Sequence, residues 1–192
     1  MILLLDLCYR PGSLSRDEFV GPVARIVERA GYAWKEAHYQ EVSTRMLQDA
    51  DGIILCGTAL KDNIFAGQIE KFHWLRDATV PVLGICAGMQ ALCAVFGGSI
   101  RPGCEIGMTP VRTTTDDPFL AGHAAFEAYE LHSFTCDPPA EWKVLAVSDR
   151  SVQAARHPDR PLSGVMFHPE VRNDRVIGRF LALCTVTRNP AE

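Results

Sequence analysis

The chain lacks the features that mark nucleic-acid binders, membrane proteins and disulfide scaffolds. Its 192 residues carry 19 lysines and arginines against 23 aspartates and glutamates, a net charge of −4. Arginine is spread along the chain rather than clustered, so nothing points to nucleic acid as a partner. No apolar run approaches the length that spans a bilayer, so no membrane segment is expected. Met1 to Cys8 is apolar but interrupted by Asp6, with neither a basic leader nor a cleavage pattern. It reads as a first strand rather than a signal peptide. The seven cysteines (Cys8, Cys56, Cys86, Cys93, Cys104, Cys136, Cys184) are odd in number and contain no C-x-x-C pair. That argues against a disulfide framework and against a zinc site, and no metal is expected. A cytoplasmic, reducing location suits them, most being small buried hydrophobes. There is no Gly-x-x-x-x-Gly-Lys loop to hold ATP phosphates. No linker, repeat or low-complexity tract divides residues 1–192, which read as one domain with a full core.

What is present is an alternating first half and a strand-rich second half. Strands are expected at Ile2–Cys8, Ala33–His38, Asp51–Cys56 and Val80–Ile85. Helical patterns lie between and after them, at Asp17–Ala30, Ser43–Gln48, Ala66–Arg76 and Ala87–Phe96. Gly31 stops the first helix. This alternation implies an α/β fold, a mostly parallel central sheet with helices on both faces. From Thr109 onward the pattern changes. Thr109–Thr114, Ala124–Leu131, Val144–Val147, Val152–Arg156 and Leu162–Phe167 read as strands joined by turns. Asp174–Leu183 reads as a closing helix.

One run carries chemistry on its face. Pro81-Val82-Leu83-Gly84-Ile85-Cys86-Ala87-Gly88-Met89-Gln90 is a strand entering a Gly-x-Cys-x-Gly turn and leaving as a helix. It has the form of a nucleophile elbow with cysteine as nucleophile. A tight strand-to-helix turn leaves no room for side chains at its flanks and forces the nucleophile into a strained, presented conformation. The helix that follows aims free N–H groups at the sulfur and favours the thiolate. At average glycine usage, one of seven cysteines would carry both flanking glycines by chance with a probability of roughly 0.03.

A cysteine nucleophile needs a base. Gly164-Val165-Met166-Phe167-His168-Pro169-Glu170 ends an apolar strand with His and Glu two residues apart. Pro169 keeps His168 extended, and residues i and i+2 of an extended segment point the same way. Glu170 can then hold one imidazole nitrogen and leave the other for Cys86. By itself, His-Pro-Glu more often marks a strand-end histidine and a solvated glutamate. Paired with the elbow, it is read as the rest of a triad.

The two motifs together resemble the class I (triad) glutamine amidotransferase family, and the resemblance covers nearly the whole chain. Asp51 to Gly57 is similar to the strand leading to that family's oxyanion loop. Phe96-Gly97-Gly98 and Glu105-Ile106-Gly107 are similar to its segment after the nucleophile helix. Leu131-His132-Ser133-Phe134 is similar to the stretch whose backbone holds the α-amino and α-carboxyl ends of glutamine. The resemblance implies a flavodoxin-like fold and a glutaminase without a cofactor. Cys86 would attack the glutamine side-chain amide, with His168 as base and Glu170 as orienter. Backbone N–H groups of Thr58 and Ala87 would hold the oxyanion, and Gly57, Gln90, Ser133 and Phe134 would contact substrate. Ammonia would go to a separate ATP-dependent synthase, because no acceptor domain is present. Two departures stand out. The family's usual Gly-Gly-Pro is Gly57-Thr58-Ala59 here, which keeps a backbone N–H but gives up glycine's freedom. Met166 replaces the family's common Gln as a packing choice.

Within the family the signals diverge. Size and the Gly-Val-x-Phe-His-Pro-Glu-Val ending are similar to the glutaminase subunit of a two-chain GMP synthetase. His132-Ser133-Phe134 is closer to anthranilate and carbamoyl-phosphate synthetase glutaminases. A γ-glutamyl peptide hydrolase with a wider pocket and a non-catalytic binding protein are the alternative functions. Several residues keep two readings. Tyr9 to Ser15 is either a plain surface loop or a partner contact. His132 either satisfies buried polar groups or touches substrate, and Glu105 either bonds within the pocket region or caps a turn. His38, His73, His123 and His157 have no motif context and read as structural or surface residues. Asp116-Asp117 reads as a helix start rather than a metal site.

Overall fold

The first strand shows why the sheet forms. In the computed structural model, which describes residues 1–120, 122 and 124–186, every residue of β1 (Ile2–Asp6) is buried. Its side chains alternate between two cores. Ile2 and Leu4 pack into one with Val23, Ile54, Phe167 and Phe180, while Leu3 and Leu5 pack into the other with Ile53, Phe72, Met89 and Leu92. A strand buried on both faces needs apolar side chains on both, which is why Ile2 to Leu5 is a continuous apolar run,.

The elements follow in order: α1 (Leu14–Phe19), α2 (Gly21–Arg29), β2 (Trp34–His38), α3 (Thr44–Gln48), β3 (Gly52–Leu55), β4 (Val82–Ile85) and α4 (Ala87–Val95). Then come β5 (Ser99–Thr113), β6 (Ala125–Asp137), β7 (Lys143–Val147), β8 (Val152–Arg156), β9 (Leu162–Val165) and α5 (Arg175–Val186). Nine strands form one sheet in the order β2-β1-β3-β4-β9-β8-β7-β5-β6. Strands β2, β1, β3, β4 and β9 are parallel neighbours, whereas every pairing from β9 to β6 is antiparallel. The strand-rich second half therefore continues the parallel sheet rather than forming a separate layer.

Three local expectations are corrected. The helix expected over 17–30 is two helices broken at Val20. Pro22 stands in the first turn of α2, where its ring would clash with the carbonyl four residues back had the helix been continuous. The helix expected over 66–76 is a pair of 3₁₀ segments, Ile64–Gly67 and Ile69–Asp77. Its inward residues Ile69, Phe72 and Leu75 recur every third position, the period a 3₁₀ helix places on one face. Finally, β5 starts at Ser99 rather than Thr109 and β6 runs on to Asp137 rather than stopping at Leu131. Pro102 and Gly103 disguise the early part of β5, where the register shifts between Pro102 and Glu105 in a β-bulge,.

Among the described residues, no helix is long and apolar enough to cross a membrane, and the cysteines form no disulfide.

Candidate active site

Three neighbouring parallel strands deliver three loops to one place. β3 leads to Thr58, β4 to Cys86 and β9 to His168, all at carboxyl ends, where open α/β sheets bind ligands.

Cys86 is held in a left-handed conformation, φ 49°, ψ −104°. For a residue with a side chain this costs of order 1–3 kcal/mol and persists only where the surroundings enforce it. The enforcement is visible. The Cys86 N–H donates to the Val165 carbonyl at 2.7 Å, and the Cys86 carbonyl accepts from Gln90 N at 3.0 Å. The strand ladder thus grips one side of the residue and α4 the other. The flanking glycines let these elements close together. A methyl group on Gly84 would overlap the Gly88 carbonyl, and one on Gly88 would overlap the Leu55 carbonyl. The N–H groups of the first turn of α4, Ala87 among them, have no intrahelical partner and open toward the thiol.

His168 and Glu170 meet as their spacing requires. His168 Nδ1 lies 2.7 Å from Glu170 Oε1, with both side chains 1% exposed. A carboxylate accepts, so Nδ1 carries hydrogen and Nε2 is the nitrogen left for chemistry. The His168 backbone N–H donates to the Tyr129 carbonyl at 2.9 Å. Gly57 lies under the ring, where a methyl group would stand 2.7 Å from His168 Cε1. Burial alone would push the His168 pKa down, but the Glu170 carboxylate and then Cys86 outweigh it and raise it well above 6.5. The same contacts make the ring a stronger base toward the thiol. Its Nε2 is buried without a hydrogen-bond partner. Cys86 Sγ lies 4.0 Å from the Leu131 carbonyl and closes no hydrogen bond to Nε2.

The cavity beside Cys86 is lined by Thr58, Ala59, Leu60, Asn63, Ala87, Gln90 and residues 131–134, and encloses about 10 Å³. That is room for about one water, so glutamine cannot enter without movement. Two contacts keep the cavity shut. Ser133 Oγ donates to the Leu60 carbonyl at 2.9 Å, and Gln90 Nε2 donates to the Phe134 carbonyl at 2.8 Å. Thr58, Ala87, Gln90, Ser133 and Phe134 are thus brought together as expected. Gly57 is not: it packs against His168 and does not line the cavity.

The loop that carries Thr58 is tied down by Asp62. Thr58 Oγ1 donates to the Asp62 carbonyl at 2.8 Å, and Asp62 N donates to the Ala59 carbonyl at 2.8 Å. Asp62 Oδ2 accepts from Tyr9 N at 2.7 Å, which links the Tyr9–Ser15 segment to the loop. Burial raises the Asp62 pKa. Asp62 and Tyr129 are neighbours of the site that no sequence motif marks, whereas Leu131 belongs to the 131–134 stretch singled out by resemblance. Tyr129 and Leu131 act through backbone carbonyls, which have no residue signature. Asp62 alone leaves a trace, as a charge between two turn-forming stretches.

The remaining candidates have structural partners. Met166 is fully buried against Cys136, in keeping with a packing role. His38 Nε2 bonds the Cys8 carbonyl at 2.8 Å, and His157 packs edge-on against Trp142. His73 is exposed, and His123 lies outside the described residues. Asp117 accepts from Phe119 N and pairs with Arg156 at 3.1 Å; it supports a turn rather than a helix start. His132 and Glu105 are buried together behind β6. Among the described residues, no group of His, Cys, Asp and Glu could hold a metal ion.

Comparison with known proteins agrees with this geometry. The family model for class-I glutamine amidotransferases matches residues 17–185. The glutamine-hydrolysing subunit of GMP synthase from Methanothrix thermoacetophila is 37% identical over 145 residues, covering 70% of this chain and 77% of that protein. The corresponding Pyrococcus abyssi protein is 28% identical over 172 residues, covering 79% and 90%. A provisionally named GMP synthase subunit from Thermoplasma acidophilum superposes with TM-score 0.85 at 24% identity, covering 97% and 94% of the two chains. At that identity it speaks for the fold alone. A strained cysteine at a strand–helix elbow, a carboxylate-held histidine on the adjacent strand and the family match converge: the chain belongs to the class-I glutamine amidotransferase family and is a glutamine-hydrolysing enzyme.

Proposed function

We propose that the site splits the glutamine amide through a thioester on Cys86 and that the ammonia serves a separate synthase chain, with GMP formation as the acceptor reaction. His168 takes the Cys86 proton, and the thiolate adds to the side-chain carbonyl carbon. The Ala87 and Thr58 N–H groups hold the oxyanion. As the C–N bond breaks, the imidazolium gives its proton to the departing ammonia. A γ-glutamyl thioester remains, and neutral His168 then takes a proton from the water that hydrolyses it. Glu170 fixes the tautomer and steadies the imidazolium. Gln90 and residues 133–134 receive the substrate once the Gln90–Phe134 and Ser133–Leu60 hydrogen bonds open. The carboxylate-held His168 beside a strained cysteine is the observation that carries this reading.

The GMP assignment rests on the relatives' activity. The acceptor chain would be ATP-dependent. Reduced cysteines suit the cytoplasm. The test is glutamate production by the purified chain alone and with a GMP-forming synthase chain. We expect weak activity alone and stimulation by the partner, because the loop that carries Thr58 must shift to admit substrate and a partner that binds the open form shifts that population. Full turnover alone, unchanged by any synthase, contradicts this reading of the chain as one half of a two-chain enzyme.

A further inference from the structure

Behind the glutamine cavity lies a buried polar cluster that the mechanism above does not use. Glu130 and His132 project from β6 on the side away from Leu131 and Ser133, and both are buried. His132 Nδ1 lies 2.9 Å from the Gly103 carbonyl, which the β5 bulge turns out of the ladder. A carbonyl only accepts, so Nδ1 carries hydrogen. His132 Nε2 then faces Glu130 Oε2 at 3.2 Å and Glu105 Oε2 at 3.6 Å. Glu105 Oε2 already accepts from Ser151 Oγ at 2.6 Å and from Gln153 Nε2 at 3.0 Å. Glu130 has no such donors: both its oxygens, like His132 Nε2, are buried without a partner.

Two facing acceptors with no donor, His132 Nε2 and Glu130 Oε2, are not a stable arrangement in a dry interior,. One proton between Nε2 and Oε2 resolves it, whichever atom formally holds it. We propose that Glu130 and His132 share one buried proton and act as a neutral positioning pair for residues 131–134, the stretch that lines the glutamine cavity. The pair pins β6 to the bulge of β5 without placing net charge beneath His168. This inference rests on the reading that the cavity takes glutamine.

The charged groups around the pair define its titration. Glu105 faces it from β5 and His168 from the turn after β9, while the 148–153 turn offers only Ser148, Ser151 and Gln153. Arg150 of that turn reaches instead toward the Cys104 carbonyl, at 3.5 Å. Burial raises the Glu130 pKa, with His132 opposing and Glu105 adding to it. Losing the shared proton leaves two buried carboxylates facing each other across a neutral imidazole. The strand they hold should then loosen, and glutamine binding should weaken as pH rises.

The test is the pH profile of KM and kcat for glutamine in the wild type and in Glu130→Gln. The amide keeps the shape and can donate to His132 Nε2, but it cannot titrate. We expect the wild-type KM to rise about tenfold on the alkaline side, the low end of what an unpaired buried polar group costs. In Glu130→Gln that rise should vanish, with KM at neutral pH within a few-fold of wild type. Parallel profiles in the two proteins overturn the proposal. Should the variant fail to fold, histidine-selective ¹⁵N NMR of the wild type decides. His132 ring shifts that change in step with the alkaline KM rise support it, and ring shifts that stay constant through that step overturn it. A wild type that does not hydrolyse glutamine at all would instead sink the functional reading.

Discussion

The two halves of the sheet contribute to the site in different ways. The parallel half supplies the side chains of Cys86 after β4 and of His168 and Glu170 after β9, together with the backbone of the loop to Thr58 after β3. The antiparallel half supplies backbone. The β6 carbonyls of Tyr129, Leu131 and Phe134 face His168, Cys86 and Gln90 in turn. Reactive groups thus sit on strand ends locked by burial on both faces, while the surface that meets them belongs to a long hairpin with exposed residues along its length. Chemistry needs the rigid half, and substrate entry needs the other half or the Thr58 loop to give way.

The largest expected effects fall on the parallel half. Cys86→Ala should reduce glutamate release to background while circular dichroism stays native. His168→Gln should lose nearly as much, and Glu170→Gln roughly a hundredfold less, by analogy with base and orienter in serine hydrolases. Equal losses for the two would mean that Glu170 does more than orient. Next comes Gly88→Ala. Because its methyl group would overlap the Leu55 carbonyl, α4 must shift and carry Cys86 with it. We expect both activity and thermal stability to fall; unchanged values would show that the elbow tolerates displacement.

Loop variants should do less. Asp62→Ala removes the acceptor that ties Tyr9 N to the Thr58 loop, and kcat should fall about tenfold, within the cost of leaving a buried donor unpaired. A change confined to KM would detach Asp62 from oxyanion support. Ser133→Ala deletes the hydrogen bond to the Leu60 carbonyl. A neutral hydrogen bond is worth about 1 kcal/mol, so opening should become a few-fold easier and stimulation by a partner smaller. Greater dependence on a partner in this variant would show that Ser133 serves substrate rather than closure.

The same division governs what the sequence discloses. The triad is legible because an elbow demands glycine at two flanks and because the His-Pro-Glu spacing enforces a shared face. Both constraints act over a few residues. The apolar runs of β1, β3 and β4 are legible because strands buried on both faces have no polar alternation to disguise them. The first ten residues of β5 are not, since Pro102 and Gly103 are strand breakers that the bulge accommodates. Tyr129 cannot be found in a sequence because any residue has a carbonyl, and Leu131 is legible only through the resemblance of its 131–134 stretch. Resemblance assigns Gly57 to substrate, and here its missing side chain also makes room for His168. Thr58 adopts no left-handed backbone, so this conformation does not use the freedom a glycine would bring there.

The central claim is that Cys86, held by its strained elbow beside His168, is the nucleophile for glutamine. Mass spectrometry after reaction with a glutamine-like electrophile tests it most directly. The account predicts one modification, on Cys86, slowed by added glutamine, lost in Cys86→Ala and strongly slowed in His168→Gln. Modification of another cysteine, or equal labelling of Cys86→Ala and the wild type, would contradict it.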